Sequence, residues 1–235
     1  MDATGLTAFS ALPLFPLMLI FWHLESGVSS NIGFVWGRWR HYGLAIIYPL
    51  AVLSLIAFIS LVSGAADLSH TDWMKASLNL ILGTVSTFVI VIITEEGFFR
   101  GWLWSSLENA GQKRGWILII SSVAFSLWHL SWVTLTTDGK LPVAQIPIFI
   151  INAAVIGTIW GLLRWISGSV IVASLSHGLW NGITYLFFGF GIHTGALGIK
   201  ETIIYGPEIG LLGLVLNSIF AVVFWRWVVR SSYSA

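Results

Sequence analysis

Long apolar segments separated by short polar stretches constrain this chain more than any other feature of its sequence. A helix of about 20 apolar residues crosses a ~30 Å hydrocarbon layer. A chain of 235 residues has too small an interior to bury many such helices in water. The segments cover residues 6–24, 43–63, 79–105, 116–135, 145–165, 169–190 and 208–228. The sequence therefore predicts an all-α, polytopic membrane helix bundle of about seven transmembrane helices.

Composition supports the same class. Charged residues make up 9% of the chain and hydrophobic residues 57%, whereas soluble domains carry about 25% charged residues. The net charge of +1 and the lack of any basic run exclude a nucleic-acid-binding surface. No cysteine is present, which excludes disulfide and thiolate chemistry. No repeat or linker divides the chain, so we expect residues 1–235 to form a single transmembrane domain.

The distribution of basic residues predicts the orientation. The positive-inside rule places most Lys and Arg residues on the cytoplasmic side, which is satisfied if the N-terminus lies outside and the C-terminus inside. The cytoplasmic side then receives Arg38, Arg40, Arg100, Lys113, Arg114, Arg164, Arg226 and Arg230. The outer side receives Lys75, Lys140 and Lys200. An additional span near Pro142 and Pro147, or between Gly189 and Gly206, would change this count.

Charged residues interrupt the third apolar segment at "EEGFFR". A charge at membrane depth costs about 2.5–3.5 kcal/mol and is expected to have a partner or a function. Glu96 and Arg100 are four residues apart and can form an ion pair on one helix face. Glu95 points about 100° away and lacks such a partner, which makes it a candidate general base. The alternative is a salt-bridged patch at a helix end, with Arg100 reaching the lipid headgroups.

Two further apolar segments carry polar residues at a similar depth. His129 lies in "FSLWH", and His177 and Asn181 lie four residues apart in "SHGLWN". At 1.5 Å per residue from the predicted cytoplasmic helix ends, these three residues and Glu95 share one level, ~12–20 Å below the surface. Each of the three is otherwise explained as a structural hydrogen-bonding residue between helices.

These residue types offer the groups that hydrolysis needs. Glu95 is suited to accept a proton from water, His129 to orient that water, and His177 with Asn181 to stabilise an oxyanion. A zinc ion bound by Glu95, His129 and His177 is an alternative way to activate water, although the H-E-x-x-H pattern is absent. A peptide-binding protein without activity is a second class of function. A proton-coupled transporter is a third, because buried Glu and His residues also relay protons.

The three motifs resemble those of a known family. "EEGFFR", "FSLWH" and "HGLWN" stand in the order of the E-E-x-x-x-R, F-x-x-x-H and H-x-x-x-N motifs of the CAAX protease and bacteriocin-processing (CPBP or Abi) family of intramembrane endopeptidases. The resemblance covers about residues 80–190. It implies a helix bundle with an intramembrane cavity and glutamate-dependent cleavage of peptide bonds.

The resemblance also implies roles for individual residues and a class of substrate. Carried over by position, the catalytic group consists of the base Glu95, the water-positioning His129 and the oxyanion stabilisers His177 and Asn181. The supporting group consists of Glu96, Arg100 and Phe125. The expected substrate is a membrane-associated peptide, either a prenylated CAAX tail or a bacteriocin-like peptide, and the expected location is the plasma membrane of a prokaryote. A bacteriocin-immunity or scaffold protein that binds a peptide without cutting it is the alternative within this family.

Overall fold

The computed structural model is predominantly helical over the part of the chain that it describes, residues 11–25, 32–69, 71–135, 141–191 and 193–233. Within that part the α-helices are α1 (Leu14–Leu24), α2 (Trp39–Val62), α3 (Trp73–Ile93), α4 (Leu103–Asn109), α5 (Arg114–Leu135), α6 (Ile146–Ser167), α7 (Val170–Ile183), α8 (Thr202–Tyr205) and α9 (Leu211–Tyr233). The predictions for residues 6–10 and for Lys140 lie outside the described residues.

Length and apolarity identify the helices that can cross a membrane. In the described residues these are Trp39–Val62, Trp73–Ile93, Val143–Ser167 and Leu211–Ser231. The outer surface of the bundle is apolar as well, with exposed side chains such as Ile47, Leu82 and Val223. The chain is therefore an integral membrane protein with an all-α bundle, as the sequence predicts. Each predicted apolar segment contains a helix, whereas seven as the number of spans and the orientation stay predictions.

Helix α6 lies at the centre of the bundle, where it packs against α2, α5, α7 and α9. Pro142 precedes a 3₁₀ turn, Val143–Gln145, that leads into this helix. Pro147 lies in its first turn, where the missing N–H of proline costs no hydrogen bond. The helix ends at Gly168, which adopts a left-handed φ of 67° that favours glycine. The two prolines thus start a helix and do not form an additional span.

Helix α3 does not continue through "EEGFFR", although the sequence predicts one segment over residues 79–105. The helix ends at Ile93, and Thr94 has φ −109° and ψ −93°. Its hydroxyl donates to the carbonyl of Ile90 at 2.7 Å, a bond that competes with the regular helical pattern. Gly97–Trp102 then form a π-helical turn before α4 begins. Such turns are rare and often occur at functional sites.

The stretch between α7 and α9 folds as a cap on the bundle. A second π-helical turn, Thr184–Phe188, follows α7. It leads into the antiparallel strands β1 (Gly189–Phe190) and β2 (His193–Thr194), and then into α8. The buried apolar side chains of this cap are Phe188, Phe190, Leu197, Ile199 and Ile209. The gap after Gly189 therefore holds short elements packed on the bundle.

Helices α3 and α7 pack closely along two glycines of α7. A Cβ atom at Gly178 would lie 2.9 Å from the Cα atom of Phe88, and one at Gly182 would lie 2.2 Å from Oγ1 of Thr84. The glycines are four residues apart, a spacing of small residues that allows membrane helices to approach closely. We call this contact the glycine seam. It holds His177, the residue before Gly178, against the end of α3.

We expect Gly178→Ala to destabilise the protein, because the added methyl group would overlap the backbone of Phe88. Overpacking of this kind costs ~1–3 kcal/mol, so the melting temperature in detergent should fall. The control is Gly83→Ala in α3, where a Cβ atom would meet nothing within 4 Å. Equal melting temperatures for the two variants would contradict the close packing of the seam.

Candidate active site

Glu96 lies at the centre of a buried hydrogen-bonded cluster. Its Oε1 atom accepts a hydrogen bond from Nη1 of Arg100 at 3.1 Å and one from Nδ1 of His177 at 2.9 Å. The side chains of Glu96 and Arg100 are fully buried, and that of His177 is 2% exposed. The ion pair predicted from the four-residue spacing is present, and it extends to a histidine on α7.

Arg100 points into the bundle and not towards the lipid headgroups. Its Nη2 atom donates to the carbonyl of Gly157 on α6 at 2.7 Å. A Cβ atom at Gly157 would lie 3.0 Å from this nitrogen, so glycine leaves the space that the guanidinium needs. Nε of Arg164 donates to the carbonyl of Arg100 at 2.8 Å. The alternative in which Arg100 reaches the membrane surface is therefore wrong.

Glu95 faces two imidazole rings. Its Oε2 atom lies 3.7 Å from Nε2 of His129 and 3.9 Å from Nε2 of His177. This oxygen is buried and has no hydrogen-bond partner among the described residues, while the side chain as a whole is 14% exposed. Helices α5 and α7 and the stretch after α3 thus meet at Glu95, as the depth of these residues in the sequence predicts.

The hydrogen bonds of the two Nδ1 atoms determine whether the Nε2 atoms that face Glu95 donate or accept. Nδ1 of His129 lies 2.9 Å from the carbonyl of Phe125, and a carbonyl only accepts, so this nitrogen carries a proton. Nδ1 of His177 is bonded to the Glu96 carboxylate in the same way. When a ring is neutral, its Nε2 atom then presents a lone pair. Glu95 Oε2 and the two Nε2 atoms thus lie close together as potential hydrogen-bond acceptors.

Aromatic rings hold both histidines in place. His177 stacks on Trp160 with ring centroids 3.7 Å apart and 15° between the planes. The His129 ring lies 4.3 Å from the ring of Phe125, which packs edge-on against Trp160 at 5.6 Å. The Arg100 guanidinium lies 4.5 Å from the Phe125 centroid, within the range of a cation–π contact. Phe125 thus contacts three charged or titratable side chains of the cluster, because its ring also packs edge-on against His177 at 5.9 Å.

Two serines fix the helix that carries His129. Ser121 of α5 donates to the carbonyl of Phe99 in the π-helical turn at 3.0 Å. Ser126 donates to the carbonyl of Ile150 on α6 at 2.6 Å. Because these bonds cross between helices, they set the rotation of α5 and direct His129 towards Glu95.

Asn181 forms no hydrogen bond with the cluster. It lies one turn beyond His177 on α7 and is half-buried. Its amide makes no hydrogen bond with any residue in the part of the chain that the structure describes. The structure therefore joins Glu95, Glu96, Arg100, Phe125, His129 and His177 by direct contacts, whereas the role of Asn181 stays a prediction.

The three side chains predicted to hold a catalytic zinc ion, Glu95, His129 and His177, are not spaced as ligands of one zinc ion. Zinc binds nitrogen and oxygen at ~2.0–2.2 Å in a tetrahedron, which separates its ligand atoms by about 3.3 Å. Glu95 Oε2 lies farther than this from both Nε2 atoms, at 3.7 and 3.9 Å. The described residues contain no group of three His, Asp or Glu side chains placed to hold a metal ion. The steps proposed below therefore use these side chains alone.

A second buried polar network was not predicted from the sequence. The carboxylate of Glu208, 6% exposed, accepts a hydrogen bond from the Trp180 indole at 2.8 Å. Asn152 on α6 donates to the carbonyls of Pro207 and Glu208, and Asn217 on α9 donates to Asn152. Asn152 and Asn217 each lie inside a predicted apolar segment. Because buried amides require hydrogen-bond partners, these two residues could have indicated the network.

We expect Glu96→Gln to destabilise the fold, because Arg100 would keep a buried charge without a counter-ion. Removing one partner of a buried ion pair costs ~3–5 kcal/mol. The control is Glu108→Gln, which removes the partner of the exposed Arg114 at 3.9 Å and should cost ~1 kcal/mol or less. Thermal unfolding in detergent measures both. A Glu96→Gln variant as stable as the control would contradict the central role of this pair.

Comparison with known proteins gives a family match over part of the chain. No curated protein and no solved structure is significantly similar to the chain. Residues 76–183 match the family model described as type II CAAX prenyl endopeptidase Rce1-like. This range contains every predicted site residue. The resemblance predicted from the three motifs is confirmed by this match, which covers residues 76–183 of the chain.

Proposed function

We propose that this protein is an intramembrane endopeptidase that hydrolyses a peptide bond through a water molecule activated by Glu95. The observation that carries the proposal is the surroundings of Glu95 Oε2, which has no hydrogen-bond partner among the described residues and faces two imidazole nitrogens. Water supplies the donors that these acceptors lack. The Rce1-like match supports a protease of the CAAX prenyl endopeptidase type.

In the first step Glu95 acts as the general base. A water molecule between the side chains donates one hydrogen to Glu95 Oε2 and the other to Nε2 of His129. Its oxygen lone pair is then directed at the carbonyl carbon of the substrate. As the new C–O bond forms, Glu95 takes the water proton, and the carbonyl becomes a tetrahedral oxyanion.

In the second step donors stabilise this oxyanion, and the C–N bond breaks. The amide of Asn181 has donors that no described residue uses, so it is available to the oxyanion. His177 donates from Nε2 only when its ring is protonated, because Nδ1 is bonded to Glu96. Glu95 then returns its proton to the leaving amine, which gives a free amine and a carboxylic acid.

Glu96 supports this chemistry through His177. A carboxylate bonded to one ring nitrogen orients the imidazole and stabilises its protonated form, as the aspartate of a Ser-His-Asp triad does. Arg100 neutralises Glu96 on its other side at 3.1 Å. Glu96 is therefore a positioning residue, while Glu95 is the base.

The substrate we propose is a membrane-associated peptide, either a prenylated CAAX tail or a bacteriocin-like peptide. The site lies among apolar helices of an integral membrane protein, so a peptide anchored in the bilayer reaches it by lateral diffusion. The Rce1-like match favours the prenylated tail. We further propose the plasma membrane of a prokaryote as the location.

We expect Glu95→Gln to abolish cleavage while the fold is retained. Loss of a general base lowers the rate ~10²–10⁴-fold, and glutamine keeps the size of the side chain. The assay offers farnesylated CAAX peptides and their unprenylated forms to the purified protein in detergent and detects products by mass spectrometry. The matched control is Glu108→Gln at an exposed position, which should keep full activity.

Three results would contradict the proposed mechanism. Undiminished turnover by Glu95→Gln would exclude Glu95 as the base. Peptide binding without cleavage by the unaltered protein would instead support an immunity or scaffold protein. Loss of activity with 1,10-phenanthroline, restored by added zinc, would favour metal-activated water over the mechanism described here.

We expect Asn181→Asp to lower kcat about 10²–10³-fold, because it removes oxyanion donors without changing the shape of the side chain. KM and the melting temperature should change little, since the amide makes no hydrogen bond with the described residues. The control is Asn109→Asp, which makes the same chemical change at the exposed end of α4. An unchanged kcat for Asn181→Asp would remove this residue from the mechanism.

A further inference from the structure

An open apolar groove runs between α2 and α9 on the outside of the bundle. Its volume is about 300 Å³, and its lining residues are Leu44, Phe220, Val223, Phe224 and Trp227. Tyr48 of α2 closes one end, with its ring centroid 4.8 Å from that of Phe220. Side chains such as Val223, 62% exposed, face the surrounding membrane. The groove therefore suits a hydrocarbon chain.

Arginines flank the other end of this groove. Helix α2 begins at Trp39 and α9 ends at Tyr233. Leu44 lines the groove with Trp227, whereas Tyr48 contacts Asn217 and Phe220, so the two helices are antiparallel with these ends together. Arg40 lies one turn before Leu44, on the same face of α2. Arg226 precedes Trp227, and Arg230 follows it by three residues. The groove thus leads from apolar side chains to a basic rim.

Three arginines at the start of α2 and near the end of α9 are available to an anionic group. Arg38, Arg40 and Arg226 are exposed, and none of the three forms an ion pair with a residue that the structure describes. Neither α2 nor α9 contains an Asp or Glu residue. An anionic group at this rim meets guanidinium groups that bind phosphate oxygens well.

We infer that the groove binds an anionic phospholipid, with an acyl chain on Leu44, Val223 and Trp227 and the phosphate at Arg40 and Arg226. The charge of the rim matches an anionic headgroup, and the open, apolar groove matches an acyl chain. Basic sites beside transmembrane helices recognise anionic lipids in this way. The inference is independent of the proposed hydrolysis, because none of these residues contacts Glu95.

The test compares dioleoyl phosphatidylglycerol with dioleoyl phosphatidylcholine, which differ only in headgroup. Native mass spectrometry of the delipidated protein gives the affinity for each. We expect tighter binding of phosphatidylglycerol, and a loss of about 5-fold in that affinity for Arg40→Gln, since each basic residue contributes ~1 kcal/mol. Phosphatidylcholine binding should not change in this variant. Val223→Trp, which fills the groove, should weaken binding of both lipids.

The matched control is Arg114→Gln, which removes an exposed arginine from α5, away from the groove, and should leave both affinities unchanged. Equal affinities of the unaltered protein for the two lipids would overturn the inference. So would an equal effect of Arg114→Gln and Arg40→Gln, because it would indicate diffuse attraction and not a site. Displacement of phosphatidylglycerol by a farnesylated peptide, or a change of oligomeric state in Val223→Trp, would assign the groove to a different occupant.

Discussion

One oxygen of Glu96 accepts hydrogen bonds from Arg100 and from His177, and the arrangement of the site depends on this shared acceptor. A buried carboxylate without a counter-ion would be strongly unfavourable, and so would a buried guanidinium. Their pairing makes both tolerable at full burial. Arg100 extends the connection to the carbonyl of Gly157, so the π-helical turn, α6 and α7 are joined through one ion pair.

Two adjacent carboxylates therefore have different surroundings. Glu96 has an ion-pair partner and its Oε1 atom accepts two hydrogen bonds, although its Oε2 atom, like Glu95 Oε2, has no hydrogen-bond partner among the described residues. The two are nonetheless connected, because His177 bonds Glu96 through Nδ1 and faces Glu95 through Nε2. The sequence suggested a division between a structural pair and a base. In the structure the imidazole ring of His177 lies between the carboxylates of Glu95 and Glu96.

Local spacing and helix depth predicted much of this site. The Glu96–Arg100 pair follows from a four-residue spacing, and the approach of His129 and His177 to Glu95 follows from counting residues along helices. Features that depend on contacts between distant parts of the chain were not predictable in this way. Nothing in the hydropathy pattern marks the π-helical turn after Thr94, and the bond of Glu208 to Trp180 depends on how the cap folds back. Asn181 shares a helix face with His177, yet only His177 forms a hydrogen bond with Glu96. A shared face therefore does not guarantee a shared hydrogen-bond partner.

The glycine seam has a mechanical consequence. Backbone contact between α3 and α7 at Gly178 and Gly182 leaves these helices little freedom to slide or separate, so they move as one body. Glu96 follows directly after α3 and His177 lies on α7, and their bond therefore lies within that body. His129 is carried by α5, outside the seam. A movement of α5 relative to α3 and α7 would therefore change the distance from Glu95 to His129 and leave the hydrogen bond between Glu96 and His177 intact.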